Sequence, residues 1–360
     1  MILFVSGEYP PNIGGVGDYT ARLRLALEQH GWLTDVVTRR HVRHWDIRAL
    51  LWLLRNAPRT GVVHIQYQAA AFDLLGDICL LPTLLHRIRP SVHCITTFHD
   101  VRIPYLFPRA GRLRRAAVNL LARTSDAVIA ADSRDLRQLG GPSPRHIHVP
   151  IGSNVPCAPP ADHVRGAFRA NLGLTPDDLA VAFFGTLNAS KGIDLLLSAF
   201  EAVQAQQPQA RLLLLGGEVG ASDATDRRAA AQVQARLAAL GSAVIGTGWL
   251  PPERLSAYLL AADVALLPYA DGASARRGSL LACAAHGLPL VTTQPTGVEV
   301  APYVSAVRQD PVELAEAVSA AWRDSSHLRA ASTALADSVS WPRIAAQHIQ
   351  IYERLLYSRR

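Results

Sequence analysis

Lysine is almost absent from this chain: of its 36 basic residues, Lys191 alone is not arginine. A composition that writes arginine wherever a cation suffices has kept one compact ammonium, and the two side chains are not equivalent at a close phosphate contact. Lys191 is therefore a candidate site residue. Cysteine is also scarce. Cys79, Cys94, Cys157 and Cys283 stand far apart with no C-x-x-C pair, which argues against a disulfide framework and a structural zinc site and fits a reducing cytoplasm. Long apolar runs are missing: the greasiest stretch, 69–85, is interrupted by Asp73, Asp77 and Pro82. The opening MILFVSGEYPP has no basic residues ahead of its apolar run and breaks at Pro10 and Pro11, so the sequence predicts neither a signal peptide nor a membrane span. No low-complexity tract occurs, and 49% hydrophobic against 18% charged residues excludes disordered and fibrous chains. A length of 360 residues predicts two domains of ordinary size.

What is present is an uneven charge. Residues 1–150 carry 19 Arg against 11 Asp and Glu, whereas residues 151–360 carry 17 Arg and Lys against 18 acids. The whole basic excess is amino-terminal. It suits a first domain that faces phospholipid headgroups, a lipid-linked phosphate or nucleic acid, although arginine-rich codon usage yields the same excess. No recognised nucleic-acid-binding module accompanies the charge, so nucleic acid is not an expected partner. The segment 102–123, RIPYLFPRAGRLRRAAVNLLAR, is apolar on one side and cationic on the other. Either Arg112, Arg114 and Arg115 rest on an anionic membrane or the segment is a surface helix of the first domain.

Short β-rich runs alternate with helical patterns. Residues 2–6 read as a buried strand, EYPPNIGGVGDYT as a turn-rich loop and 19–30 as a helix closed by Gly31. Further strands are predicted at 36–38, 62–66, 93–98, 127–130 and 146–149, with helices near 47–54 and 112–122. A proline-rich stretch, 153–163, reads as a linker, after which the pattern restarts. Strands follow at 181–184, 211–215, 244–245, 264–267 and 290–292, and helices at 192–206, 225–240, 252–261 and 279–286. This alternation predicts an α/β chain of two doubly wound domains, with ligands outside the carboxyl ends of the strands in a cleft between the halves.

Three loops and one histidine carry candidate chemistry. Gly14, Gly15 and Gly17 lie between a strand and a helix, where amides and the helix dipole can approach an anion or a sugar. The spacing is not G-x-G-x-x-G, and a tight connection explains such glycines too. In FFGTLNASKGIDLLLSAF, Gly185 follows a strand and Lys191 precedes a helix, which aims an ammonium and helix amides at a diphosphate without forming a P-loop. Asp271, Arg276, Arg277, Gly278 and Ser279 lead into another helix, with two guanidiniums beside its first amides; a solvated charged loop is the alternative. His99, followed by Asp100, ends the strand ITTF and is placed to project from the first domain, although most of the 13 histidines need no such role.

Together these segments resemble the retaining glycosyltransferases called group 1 or family 4, which have the GT-B architecture of two facing Rossmann-like domains. The resemblance runs over essentially the whole chain. It rests on EYPPNIGGVGDYT, TFHD, PIGSN at 150–154, FFGTLNASKGIDLLLSAF, GWLPPERLSAYLLAADVALLPY, AHGLPLVTT and the closing SWPRIAAQHIQIYERLL. It implies an acceptor-side domain of residues 1–158, completed by a returning helix at 343–360, and a nucleotide-sugar domain of residues 159–342. The implied activity is hexose transfer from a nucleoside-diphosphate sugar with retention of configuration, usually with no metal ion or other cofactor. The acceptor would be lipid-linked, a polysaccharide precursor or another glycan, met in the cytoplasm or on the inner face of the membrane. By position, Gly14 and Gly15 would lie near the donor phosphates and the acceptor, His99 at the donor sugar and Lys191 at the diphosphate. The amides of Gly278, Ser279 and Leu280 would cap the same phosphates.

The chain also departs from the family. Two family glutamates separated by seven residues fall at Ser274 and Ala282, and the arginine of a G-R-L segment falls at Thr186. Arg276 or Arg277 is expected to supply the missing positive charge and Asp271 to replace part of the missing acid. Two other functions stay open on the sequence alone: a noncatalytic homologue that binds a nucleotide sugar or a partner, and a nucleotide-sugar epimerase of the same architecture.

Overall fold

The computed structural model describes residues 1–11, 14–101, 111–187, 189–216, 224–296 and 298–357, and for 224–230 the backbone alone. The chain divides into two compact units, Met1–Gly152 with Val339–Arg360, and Ser153–Ser338.

In the first unit β1 (Ile2–Ser6), β2 (Thr34–Val37), β3 (Gly61–Tyr67), β4 (Val92–Phe98), β5 (Ala127–Ala130) and β6 (His146–His148) form one parallel sheet in the order β2-β1-β3-β4-β5-β6. β1, β4 and β5 are buried from end to end, which a parallel sheet covered on both faces requires of runs such as ILFVS and AVIA. Within it Thr96 Oγ1 lies 2.9 Å from Ser125 Oγ, and Asp126 accepts from the Cys94 amide at 2.7 Å. The helix Gly15–Gln29 buries Val16, Tyr19, Leu23, Ala26 and Leu27, the spacing of a core-facing stripe. It begins earlier than the predicted 19–30 because Gly15 and Gly17 enter its first turn. It stops before Gly31, whose φ of +79° suits a left-handed exit.

The helix Trp341–Tyr357 returns to this unit from the far end of the chain. Ile344, Ala345, Ile351 and Tyr352 join Ile2, Phe4, Leu23 and Ile95 in one buried cluster. Each fully buried aliphatic of that kind contributes about 1.5–3 kcal/mol of transfer free energy. Tyr352 Oη lies 2.8 Å from His64 Nδ1, and His64 Nε2 lies 2.7 Å from Thr97 Oγ1. Burial, reinforced by His348 and His99, drives His64 far below the usual histidine range and keeps it neutral.

In the second unit β7 (Ala180–Phe184), β8 (Arg211–Leu215), β9 (Val244–Gly248), β10 (Val264–Leu267), β11 (Leu290–Thr293) and β12 (Ser305–Val307) form a parallel sheet ordered β12-β11-β10-β7-β8-β9. Strand addition reverses between β7 and β10, as it does between β1 and β3 in the first sheet. Such switch points leave a crevice outside the carboxyl ends of the strands, where the loops diverge.

The units divide at Gly152 and Ser338, whereas the sequence placed the boundaries at 158 and 342. A Cβ on Gly152 would lie 2.9 Å from the Trp341 ring, which fixes that residue to the first unit. The Ala158 amide donates to Ser256 Oγ at 3.0 Å and so belongs with the second.

Candidate functional site

The loops after β7 and β10 meet at the switch point of the second sheet. Gly185 leaves β7 with its amide donating to Leu215 O at 3.0 Å, and a Cβ on Gly216 would come within 2.4 Å of Gly185 O. Two glycines thus let neighbouring strand exits pass in contact. The chain then makes the turn Ala189–Lys191 and enters the helix Ile193–Gln206 through Gly192. Gly192 has a φ of +70°, and a Cβ there would fall 1.8 Å from Pro268 O. Only glycine allows this loop to lie directly on the end of β10. The loop from β10 is held in turn by β11, where Thr292 Oγ1 donates to Leu267 O and Thr293 Oγ1 to Tyr269 O, both at 2.6 Å.

Lys191 is thereby brought to Ser279. Its Nζ donates to Ser279 Oγ at 3.4 Å and sits 5.2 Å from the centroid of the Tyr269 ring. Tyr269 Oη and Ser279 Oγ are 2.7 Å apart and buried, and the Tyr269 hydroxyl also meets the Leu280 amide. Burial pushes Lys191 down to about 8, and the charge of Arg277 adds to the effect. Arg277 stacks on Tyr269 with its guanidinium carbon 4.5 Å from the ring centroid, and it is ion-paired with Asp271. The helix Gly278–Ala285 has Arg277 at its cap position, and the Arg277 side chain does not bond to the helix's first amides. Gly278 is exposed, and a Cβ there would meet nothing within 4 Å.

The other expected residues of this unit are placed differently. Thr186 is exposed and Arg276 half-buried. Ser274 is buried, and Ala282 is enclosed so completely that a glutamate there would overpack the helix against its surroundings. Asp271, expected to replace the missing acid, is committed to Arg277. Leu280 was expected to offer its amide to a phosphate, and that amide faces the Tyr269 hydroxyl. Tyr269 itself went unnoticed in the sequence, although its place one residue past the β-run and a proline, in ALLPY, was the available signal.

In the first unit the glycine loop is less open than its composition suggests. A Cβ on Gly14 would fall 2.0 Å from Glu8 Oε2, so a carboxylate of the chain lies over the loop where an external anion was expected. Burial raises the Glu8 pKa, Arg39 opposes the rise and Asp18 adds to it. Gly17 is tight against the Tyr9 backbone, whereas a Cβ on Gly15 would meet nothing within 4 Å. His99 follows β4 with Nε2 2.8 Å from Gln66 Oε1 and its ring edge-on to Tyr19, centroids 4.8 Å apart. Burial and the neighbouring His348 bring it down to about 3, so it acts as a neutral hydrogen-bonding group. Gln66, fully buried beside it, was also missed.

Arg112, Arg114 and Arg115 lie on the helix Gly111–Thr124, which buries Val118, Leu121 and Ala122 in the core of the first unit. That apolar face is turned inward, as on a surface helix of this unit; Arg112 and Arg115 are exposed and Arg114 is half-buried. Residues 102–110 of the same expectation lie outside the described residues. Among the described residues no helix is long and apolar enough to cross a membrane, and no three His, Cys, Asp or Glu side chains are grouped to hold a metal ion.

Residues 178–324 match the family model described as glycosyl transferases group 1. A D-inositol 3-phosphate glycosyltransferase of Segniliparus rotundus is 30% identical over 299 residues, which cover 80% of this chain and 58% of that protein. The chain thus spans little more than half the length of that curated relative. The sucrose-phosphate synthase of Thermosynechococcus elongatus superposes with a TM-score of 0.72 at 22% identity, covering 99% of both chains. Anabaena HepE, solved in complex with UDP and glucose, superposes with a TM-score of 0.70 at 17% identity over 97% of this chain and 98% of its own. At those identities the superpositions establish the fold, two six-stranded Rossmann-like halves of the GT-B kind. With the family match across the loops of the second sheet, residues 178–324 form a glycosyl transferases group 1 domain.

Proposed function

We propose that the chain is a retaining hexosyltransferase that moves a sugar from a nucleoside diphosphate, with UDP-sugars the first donors to try, to a lipid-linked, polysaccharide-precursor or other glycan acceptor, without a metal ion or resident cofactor. The observation that carries this reading is the meeting of Lys191 Nζ with Ser279 Oγ at the β7/β10 switch point, beside the first turn of a helix whose cap residue, Arg277, does not bond to its amides. Breaking the bond from the anomeric carbon leaves charge on a diphosphate oxygen. An ammonium and fixed amides at that oxygen stabilise the transition state more than the ground state. Lys191, at about 8, is mostly protonated at neutral pH, and a diphosphate beside it favours the charged form further.

The amides of Gly278 and Ser279 receive the same phosphates, and Gly185 and Thr186 border them. Arg277, with Arg276, supplies the charge that Thr186 lacks, and Ser274 offers a hydroxyl in place of a carboxylate. His99 hydrogen-bonds a sugar hydroxyl as a neutral ring, and Gly15 leaves room for a ligand. The first unit serves the acceptor, and Arg112 and Arg115 favour one presented at an anionic cytoplasmic surface.

A thermal-shift screen of nucleoside diphosphates and their sugars tests the donor side, because a ligand bound only by the folded state raises its stability. UDP should stabilise the wild type and lose most of that effect in Lys191→Met. A screen with no stabilising nucleotide would remove the reading. Ser274 and Ala282 favour one second reading, a binding protein without turnover, which predicts stabilisation by the donor with no hydrolysis and no transfer to any acceptor.

A further inference from the structure

Beside Asp100 the first unit has a partly open cavity of about 140 Å³. Its wall is built from Tyr67 at the end of β3, Leu74 and Leu75 from the segment that follows, and Leu113 and Ala117 from the helix Gly111–Thr124. The Tyr67 hydroxyl bonds with Cys79, and its ring is fixed by Phe72 and Phe98, with centroids 6.0 and 5.4 Å away. Two charged residues, Asp100 and Arg114, also line it.

The wall is held in a strained form. Asp73 and Leu74 both have a φ of +58°, two successive left-handed residues with no glycine among them. The surroundings over-determine this turn. The Asp73 carboxylate is paired with Arg39 and accepts from the Trp45 amide at 2.9 Å, and the Leu74 amide donates to Ala69 O at 2.9 Å. Strain persists where the structure insists on it, and sites that hold ligands are where it gathers. Here it places Leu74 and Leu75 on the cavity wall. Single exposed leucines are ordinary. Two border this one cavity, Leu113 at 75% and Leu75 at 40% exposure, so the apolar surface continues outward from the interior.

We propose that this cavity receives an apolar group of the acceptor, a ring or branched chain of about six carbons, since aliphatic cavities near 150 Å³ accommodate one benzene-sized ring. The hydroxyl to be glycosylated lies close to that group, at the end where Asp100 and Arg114 supply the polar contacts. The proposal rests on the reading of the first unit as the acceptor side. It separates this chain from its relative named for inositol 3-phosphate, because a cyclitol bears a hydroxyl on every ring carbon and leucine walls would leave those hydroxyls unpaired.

Cyclohexanol and myo-inositol share a six-carbon ring and differ in hydroxylation, which makes them matched probes. Saturation-transfer NMR on the full chain should show cyclohexanol binding and myo-inositol not competing with it. Ala117→Phe, which fills the space, should weaken cyclohexanol by about tenfold or more, a loss that corresponds to about 1.4 kcal/mol. Where that variant melts early, Leu113→Ser changes a side chain that the fold does not need and should still weaken the probe several-fold. Equal binding of the two probes, no cyclohexanol binding at all, or unchanged affinity in folded Ala117→Phe would each overturn the proposal. The measurement uses no nucleotide, so failure of the donor reading appears separately, as absence of UDP binding to the same sample.

Discussion

Binding of UDP at pH 8 should draw protons onto the protein, and the amount can be worked from the structure. Lys191 stands at about 8 against an ordinary 10.5, first because it is buried and then because Arg277 is near. A diphosphate beside Nζ reverses both effects, by pairing with the ammonium and by offsetting the guanidinium. If the value in the complex returns to 10.5 or higher, half of the free protein lacks the proton at pH 8 and nearly every complex has it, an uptake of about 0.5 proton. The same arithmetic gives about 0.1 at pH 7 and about 0.9 at pH 9, with affinity falling up to about tenfold per unit above pH 8. Phosphate ionisation near pH 6 is complete in that range and adds little. Titration calorimetry at pH 8 in two buffers of different ionisation enthalpy reads the uptake directly. Lys191→Arg keeps a charge that never titrates and should bind with no uptake. Lys191→Met should also show none and bind more weakly. Uptake of the wild-type size in Lys191→Arg would mean that another group meets the nucleotide.

Other outcomes follow from neighbouring contacts. Arg277→Ala removes one cause of the low Lys191 value, so the pH midpoint of UDP binding should move above that of the wild type; an unmoved midpoint would separate the two residues. Gly192→Ala drives a methyl into Pro268 O at a left-handed φ and should lower the melting temperature sharply, whereas Gly15→Ala should leave it nearly unchanged, so any loss of transfer in Gly15→Ala reports on ligand contact. His348 is buried and brought down to about 4, below its ordinary 6.5. Its unfolded form therefore binds the extra proton, and its share of stability is intact above pH 6.5 and declines as pH falls toward 4, by about 1.4 kcal/mol per unit. Urea melts at pH 7 and pH 5 should show a smaller difference in His348→Gln than in the wild type.

The alternation of short apolar runs with helical stretches carried most of the architecture, because a buried parallel strand such as Ala127–Ala130 has no other composition to adopt. β12 and the helix Pro311–Arg323 escaped it. The strand is three half-buried residues, and the helix signal lay in Asp310, which caps the amides of Val312 and Glu313, rather than in periodicity. The candidate site was legible only in pieces. Composition singled out Lys191, but periodicity does not encode strand order, and it is the neighbouring of β7 and β10 that brings Lys191 to Ser279 from 88 residues away. The contact of Glu8 with Gly14 was hidden for the same reason: composition shows that glycines open a space, not what enters it. The apolar stripe of Gly111–Thr124 looks alike whether a core or a lipid receives it, and here the core does.

The returning helix has a consequence for biosynthesis. Ser153–Ser338 is one continuous stretch and can close its own sheet as soon as it clears the ribosome, but the half made before it cannot. The face carrying Ile2, Phe4 and Ile95 stays uncovered until Trp341–Tyr357 has been translated. A chain cut after residue 338 would therefore have a finished carboxyl-terminal half and an unsealed amino-terminal one, and chaperones would find their client in the portion synthesised first.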